Sequence, residues 1–299
     1  MNPIARLGKE HGYHMKKMKA RIFFLAPSFL GVFLFVVLPF GDVARRSFMT
    51  AITKEGAGIR NYRAIFTNSA FLLAVKNTFR FTVFCIPLLV ALGLAIALAM
   101  GSIRHLQTVK SFYLFPLAMP TATVAVVWKM IFYEKGFLNQ WLEQFGLLGR
   151  LGAGAAVDYI GGGAAFYVLA GTYIWKNLGY TVVLWLAGIM GVNGEMMEAA
   201  QVDGAGKLQR FWYVMLPNLK GSLYTIVVIS FLNSFKIYRE AYLVAGSYPH
   251  DSIYMLQHLF NNWFVNLDLD KMAAAAVVCA LFFLIFIMLL QWLWDKETG

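Results

Sequence analysis

The side chains that most often carry catalysis or metal binding show no useful spacing in this chain of 299 residues. Cys85 and Cys279 lie inside apolar runs, where small buried side chains are expected rather than metal ligands or a disulfide. The glycines at 152 and 154 have no preceding strand and no following Lys-Ser/Thr, so a phosphate-binding loop is not indicated. Five histidines fall in loops or termini without a carboxylate to orient them, and we expect them to be exposed to solvent: His11, His14, His105, His250 and His258.

Charged residues concentrate instead in residues 191–220, between two apolar runs. They are Glu195, Glu198, Asp203, Lys207 and Arg210. Asn193 is a suitable N-cap for a helix over 195–202, Gly204 interrupts it, and a second helix is predicted over 207–215. Two interpretations are open for this helix–turn–helix. It is a connecting loop with an amphipathic helix, or it is a surface that recognises a partner through charge-assisted hydrogen bonds.

Polar side chains also interrupt two of the apolar runs. Lys176 lies within YIWKNLGYT, whereas Asn233, Ser234 and Lys236 lie within ISFLNSFKIYRE. Polar groups inside a membrane are costly and often functional. The lysines could extend to the membrane surface while the amides join helices, or these side chains could line a water-filled path. Hydrogen-bonding side chains beside aromatic rings such as Tyr180 would suit a sugar.

The composition indicates that the fold forms in a bilayer. The chain is 60% hydrophobic and 14% charged, with a mean hydropathy of +0.62, whereas soluble domains contain about 25% charged residues. Six apolar runs approach the roughly 20 residues that a membrane helix needs, and they are too continuous for barrel strands. They cover 22–40, 81–102, 111–128, 159–194, 221–235 and 272–294. We predict an all-α, polytopic membrane protein with six transmembrane helices.

The net charge of +11 does not indicate nucleic-acid binding, because the cations are distributed around the apolar runs. Six Lys/Arg precede the first span, which places the N-terminus in the cytoplasm, and six spans then place the C-terminus there too. The first span lacks a cleavage site and is expected to be retained. The predicted organisation is a basic cytoplasmic N-terminus (1–21), a first transmembrane helix (22–40), an external loop (41–74), a core of five transmembrane helices (75–294) with the charged loop at 191–217, and a cytoplasmic tail (295–299).

The charged segment also carries a specific motif. EAAQVDG, from Glu198 to Gly204, is followed by nine residues and then by VMLP. This pattern resembles the E-A-A-x3-G-x9-I-x-L-P signature of permease subunits in binding-protein-dependent ABC importers, with Val214 in place of isoleucine. NYRAIF, NTFRFTVF and FPLAMPTATVAVVWKMIFYEKGFLN are similar to further segments of the sugar-type permeases. Together they resemble the first-type permease subunit of the maltose, lactose and glycerol-phosphate group of importers.

The resemblance implies the ABC importer permease fold with a cytoplasmic coupling helix, in a bacterial inner membrane. Its implied partners are a second permease subunit that completes a heterodimer, two ATPase subunits, and an extracytoplasmic solute-binding protein. The chain has no P-loop, so no cofactor is expected in it, ATP and Mg²⁺ would be bound by the ATPase subunits, and the chain would not itself be an enzyme.

The resemblance also assigns roles within the motif. Glu198 is implied as the charged contact to the ATPase. Ala199 and Ala200 are implied as a face that allows close packing, and Gly204 as the elbow. Asp203 either braces the turn or contacts the partner.

In relatives, the fourth and fifth spans line the sugar site. Leu178, Gly179 and Ser230 match family positions there, whereas Asn233, Ser234 and Ile237 stand where the family has aromatic and asparagine residues. The candidate solute path therefore comprises Lys176, Leu178, Gly179, Tyr180, Ser230, Asn233, Ser234 and Ile237.

Three alternatives to a carbohydrate importer are considered. A permease for glycerol-phosphate or another anionic small solute would be favoured by Lys176 and Arg239. A secondary transporter would need an intramembrane carboxylate for ion coupling, and none is expected within a span, because Glu240 lies only at an end. A receptor or scaffold would have no reason to carry the E-A-A motif.

Overall fold

The computed structural model describes residues 24–50, 55–100, 114–147 and 156–298. They belong to two compact units: Met1–Ile65 with Leu267–Phe282, and Phe66–Asn266 with Phe283–Gly299. Among the described residues, the β-type pairing is limited to an isolated bridge between Met49 and Gly56. The prediction of an all-α fold is confirmed.

Twelve helices make up most of the described residues. They are α1 (Phe24–Arg46), α2 (Arg60–Phe66), α3 (Ser69–Met100), α4 (Thr121–Phe132), α5 (Phe137–Gln144), α6 (Ala165–Met190), α7 (Gly194–Val202), α8 (Lys207–Arg210), α9 (Lys220–Ser234), α10 (Tyr238–Ala245), α11 (Leu256–Val265) and α12 (Leu269–Thr298). A π-helical turn, Phe211–Met215, and a short turn, Leu216–Asn218, continue α8 towards α9.

Several of these helices are suited to a bilayer. In the described part of the chain, four helical segments are long and apolar enough to cross a membrane: Phe24–Arg46, Ser69–Met100, Lys220–Ala245 and Leu269–Trp294. Helix α6 has 26 residues, which is about 39 Å at 1.5 Å per residue. Lys176 and Asn177 lie near its middle. Residues 111–113 of the predicted third run lie outside the described residues, and α4 begins directly after Pro120.

The first unit contains a helix whose apolar side chains face outward. No residue of α1 between Phe33 and Arg46 is buried, and Phe24 and Phe35 are about four-fifths exposed. Such a surface requires lipid or a protein partner around it. Beyond α1, the Asn61 side-chain amide donates to the Ser47 carbonyl at 2.9 Å and to the Met49 carbonyl at 2.8 Å, which fixes the start of α2.

The second unit has its core between α3 and α6. Phe81 of α3 contacts the rings of Phe166 and Tyr173 on α6 edge to face. Further along both helices, Gly93 lies so close to Thr181 that a Cβ at position 93 would overlap the threonine methyl group. Aromatic packing at one end and a glycine contact nearer the other hold the two helices together along much of their length.

A second tight contact joins α6 to α9. A Cβ at Gly188 would overlap the Ser222 hydroxyl, so the helices approach closely there. Nearby, Trp185 is fully buried and its indole N–H donates to the Val90 carbonyl of α3 at 3.2 Å. The contacts of α6 therefore place the polar residues of α6 and α9 against each other.

Candidate functional site

Residues Asn193–Asn218 form two short helices joined by a turn, and we refer to them as the connecting helix pair. The Asn193 side chain accepts a hydrogen bond from the Glu195 amide at 2.9 Å. This satisfies one of the unpaired N–H groups at the start of α7. The prediction that Asn193 is the N-cap is confirmed.

The turn between the two helices depends on Gly204. Its φ is +83°, a left-handed conformation that side chains with a Cβ rarely adopt. The Gly204 amide donates to the Gln201 carbonyl at 3.1 Å, and the Ala205 amide donates to the Ala200 carbonyl at 2.9 Å. These two bonds are a Schellman motif, which ends α7 and turns the chain sharply.

The second half of the pair is tied back to the first. The Gln209 side chain accepts from the Gly206 amide at 2.8 Å and caps α8. The Arg210 guanidinium donates to the Gln201 side-chain oxygen at 2.6 Å and links α8 to α7. The predicted second helix, over 207–215, is α-helical only in its first turn and π-helical after that. The pair is thus a defined shape rather than a loose loop.

The surface of the connecting helix pair is open and chemically mixed. Glu198, Ala199 and Asp203 are exposed, Ala200 is half-buried, and no residue of α7 is buried. Large apolar side chains are exposed beside them, at fractions unusual for a surface in water: Val202 at 87%, Leu208 at 71% and Tyr213 at 81%. Exposed apolar groups rimmed by polar ones are typical of a surface that contacts a protein or a membrane.

A second polar region lies where α6 crosses α9, and we call it the polar crossing: Tyr173, Asn177 and Tyr180 with Ser230 and Asn233. The Tyr173 hydroxyl donates to the Ser230 carbonyl at 2.6 Å, and the Tyr180 and Ser230 hydroxyls are hydrogen-bonded at 2.7 Å. The Asn233 amide donates to the Asn177 side-chain oxygen at 3.1 Å. The network satisfies its own buried polar groups.

The predicted solute-path residues differ in their exposure. Four are buried: Gly179, Ser230, Ser234 and Ile237. Four are half-buried: Lys176, Leu178, Tyr180 and Asn233. Lys176, Tyr180 and Asn233 are therefore the polar members of this set with partly exposed side chains.

Lys176 is not an isolated cation. It forms an ion pair with Glu240 of α10 at 2.5 Å, and the two side chains are only 13% and 5% exposed. The Thr121 hydroxyl of α4 lies 3.4 Å from the same carboxylate oxygen. The expectation that no carboxylate lies within a span was wrong, since Glu240 is buried inside the apolar segment Lys220–Ala245. Its charge is compensated by Lys176, because a buried charge requires a partner.

Sequence reasoning missed several of these partners. Tyr173, Asn177 and Tyr180 follow one another at helical spacing, so the sequence predicts that they share one face of α6. It does not predict that Ser230 and Asn233 of α9 are their partners.

The expectation of exposed histidines was wrong for His258. Its ring is fully buried, packs against Tyr238 and Tyr254, and accepts the Met255 amide at Nδ1. Burial lowers the pKa of His258 to about 4. His250 is exposed as expected, whereas His11, His14 and His105 lie outside the described residues.

Comparison with known proteins identifies the group to which this architecture belongs. The sequence pattern of the family described as "Binding-protein-dependent transport system inner membrane component" matches residues 89–295. The chain belongs to this family. The permease is therefore a membrane component of a transport system, and the secondary-transporter and scaffold alternatives are set aside.

Individual relatives cover most of the permease. It is 28% identical over 265 residues to the sulfoquinovosyl glycerol transport system permease protein SmoG of Agrobacterium fabrum, covering 86% of this chain and 84% of that one. It is 30% identical over 308 residues to the diacetylchitobiose uptake system permease protein NgcF of Streptomyces coelicolor, covering 93% and 83%.

A solved structure has the same fold. A chain of a bacterial ABC transporter involved in the import of the acidic polysaccharide alginate superposes with a TM-score of 0.78 at 18% identity, covering 98% of the permease and 100% of that chain. The permease therefore has the ABC importer permease fold.

Proposed function

We propose that this permease is the transmembrane subunit of an ATP-driven carbohydrate importer, and that it couples to cytoplasmic ATPase subunits through the connecting helix pair. The observation that carries the proposal is the E-A-A motif on an exposed, rigidly turned helix. Relatives named for sulfoquinovosyl glycerol and for diacetylchitobiose support the carbohydrate class.

The coupling step follows from the shape of the connecting helix pair. Helix α7 presents Glu198 and Ala199 to a cleft on the ATPase subunit, where the carboxylate pairs with a cation of the partner. The small alanine side chain allows the two backbones to approach closely. The Schellman turn at Gly204 and the Arg210–Gln201 bond transmit movement of α7 towards α9, because they resist bending between the two limbs.

The solute path is proposed at the polar crossing. Tyr180 and Asn233 are the half-buried hydrogen-bonding groups, and Ser230 holds the Tyr180 hydroxyl in place at 2.7 Å. The tyrosine ring and the asparagine amide supply the two kinds of contact that sugars use, an aromatic face and directional hydrogen bonds.

The assembly around the permease is part of the proposal. A second permease subunit completes the path, two ATPase subunits bind ATP and Mg²⁺ in the cytoplasm, and an extracytoplasmic binding protein delivers the solute. Both termini are cytoplasmic. Since the permease has no P-loop, it undergoes the conformational change and performs no hydrolysis.

Charge reversal at the motif tests the coupling step. In the complete complex reconstituted in vesicles, Glu198→Lys is expected to abolish stimulation of ATP hydrolysis by the loaded binding protein, because a lysine would repel the partner's cation. Glu195→Lys, on the same exposed helix, is the matched control and should retain most of the stimulation.

The complex should still copurify with its ATPase subunits when Glu198 is changed, because one contact of many is altered. Full transport by Glu198→Lys would falsify the assignment of this helix as the coupling element.

A further inference from the structure

We propose that the solute is anionic, and that Lys236 and Arg239 bind its acidic group at the end of the polar crossing. This inference rests on the proposed function, because it assumes that solute passes along α6 and α9. The chemical class is a carbohydrate or polyol that carries a carboxylate, a phosphate or a sulfonate.

Lys236 is held in place by a neutral group. Its ammonium donates to the Asn233 side-chain oxygen at 3.0 Å, and Asn233 in turn donates to Asn177. Lysine has three N–H donors, so this bond leaves donors for a ligand. The side chain is exposed. The polar crossing therefore ends in a fixed positive charge that can reach an incoming molecule.

Arg239 lies one turn further along the same segment. Its amide donates to the Lys236 carbonyl at 3.2 Å, and the Lys236 amide donates to the Asn233 carbonyl at 3.0 Å. These bonds define the backbone of the turn that joins α9 to α10, where the two cationic residues stand three positions apart. Arg239 is also exposed. A guanidinium with two parallel N–H donors suits the oxygens of a carboxylate or phosphate.

Neither cation is neutralised by the protein within the residues that the structure describes. Ion pairs there that involve other residues include Asp42 with Arg45 and Arg46, Lys176 with Glu240, and Lys271 with Asp268.

Lys176 differs from Lys236 and Arg239. It lies on the neighbouring helix, and its charge is compensated by the buried carboxylate of Glu240. The cation nearest the interior is thus compensated, whereas the two at the exposed end are available. This arrangement attracts an anion to the path without trapping it inside.

The test compares matched solutes in the complete complex with its binding protein. The probe pairs are glucose 6-phosphate with glucose, and glucuronic acid and a glucuronic acid-containing disaccharide with their neutral glucose counterparts. Stimulation of ATP hydrolysis and uptake into vesicles are measured for each member. The acidic members are expected to stimulate, and the neutral members are expected to be inactive or at least tenfold weaker.

Variants of Lys236 and Arg239 then test whether these two residues cause the preference for acidic solutes. Lys236→Gln and Arg239→Gln should each raise the concentration of acidic solute needed for half-maximal uptake by about tenfold, because each removes a charge-assisted hydrogen bond. Lys129→Gln, which removes an exposed cation from α4, is the matched control and should change uptake less than twofold.

The outcomes separate the two proposals. If the complex takes up the neutral members and Lys236→Gln does not change that uptake, the proposal of an anionic solute is overturned. Both cations would then be assigned to the lipid phosphates at the membrane surface. The proposed importer function would remain intact. A complex that hydrolyses ATP but responds to no carbohydrate of either charge would overturn both.

Discussion

In the connecting helix pair, Glu198 extends into solvent and no residue of α7 is buried. At the polar crossing, Ser230 is fully buried and hydrogen-bonded to two tyrosines of the facing helix. Both regions contain polar side chains next to apolar runs, but the first leaves its carboxylates exposed and the second bonds most of its polar groups internally. Substitutions should therefore affect coupling in the first region and folding in the second.

The buried ion pair beside the polar crossing should give the largest effect. Glu240→Gln leaves the Lys176 ammonium buried without a counter-charge, which is expected to destabilise the protein by about 3–5 kcal/mol. Thermal unfolding of the purified complex in detergent measures this.

The double variant Lys176→Met with Glu240→Leu should recover most of the loss, because both charges are then absent. Equal destabilisation by the single and double changes would contradict a stabilising pair and would point to the shape of the site instead.

His258 and His250 provide a second comparison of a buried with an exposed polar side chain, outside the apolar spans. Burial lowers the pKa of His258 from 6.5 to about 4 in the folded state, so unfolded chains bind a proton at a higher pH than folded chains do. The contribution of neutral His258 to the free energy of unfolding is therefore fully present above pH 6.5. It is lost as the pH falls towards 4, which lowers the free energy of unfolding by at most about 3 kcal/mol.

The measurement is the unfolding temperature as a function of pH. His258→Phe should flatten the decline between pH 6.5 and 4, because phenylalanine cannot take up a proton in either state. His250→Gln should leave the decline unchanged, since His250 is exposed. A decline of the same size in His258→Phe would exclude this histidine as its source.

The smallest change in stability is expected in the connecting helix pair. Gly204→Ala places a Cβ on a residue with a φ of +83° and should cost about 1 kcal/mol locally. Stimulated ATP hydrolysis should fall severalfold because the turn is misplaced, while the global unfolding temperature hardly moves. Gly194→Ala, with open space around position 194, is the control and should be silent. If Gly204→Ala couples normally, the turn is not needed to orient α7.

Local features were predictable from the sequence. The Asn193 cap and the break at Gly204 involve residues within a few positions of one another, so the residue types alone indicated them. The partners of Lys176 and Tyr173 were not predictable, because Glu240 and Ser230 are more than 50 positions away and only packing brings them close.

The remaining differences between the sequence-based predictions and the structure arise from tertiary packing and from capping. His258 occupies a short segment that looks like a surface loop in the sequence, but tertiary packing encloses its ring between two tyrosines. Helix α3 begins at Ser69, well before the apolar run at 81, where the Asn68 side-chain oxygen accepts the Phe71 amide at 3.0 Å and caps the first turn. Further along, the Asn77 side-chain amide donates to the carbonyls of Asp251 and Tyr254 in a distant loop. A polar stretch can thus be helical when a cap and remote backbone groups satisfy its hydrogen bonds.

Close glycine contacts hold α6 tightly against α3 and α9. Gly93 closes on Thr181 and Gly188 closes on Ser222, with no room for even a methyl group between the helices. Because such tight contacts resist sliding, we expect α3, α6 and α9 to move together. Over the roughly 39 Å length of α6, a rotation of about 10° at one end displaces the other by roughly 7 Å. If the connecting helix pair couples to an ATPase as proposed, a small adjustment there is expected to displace the far end of α6 by a comparable distance.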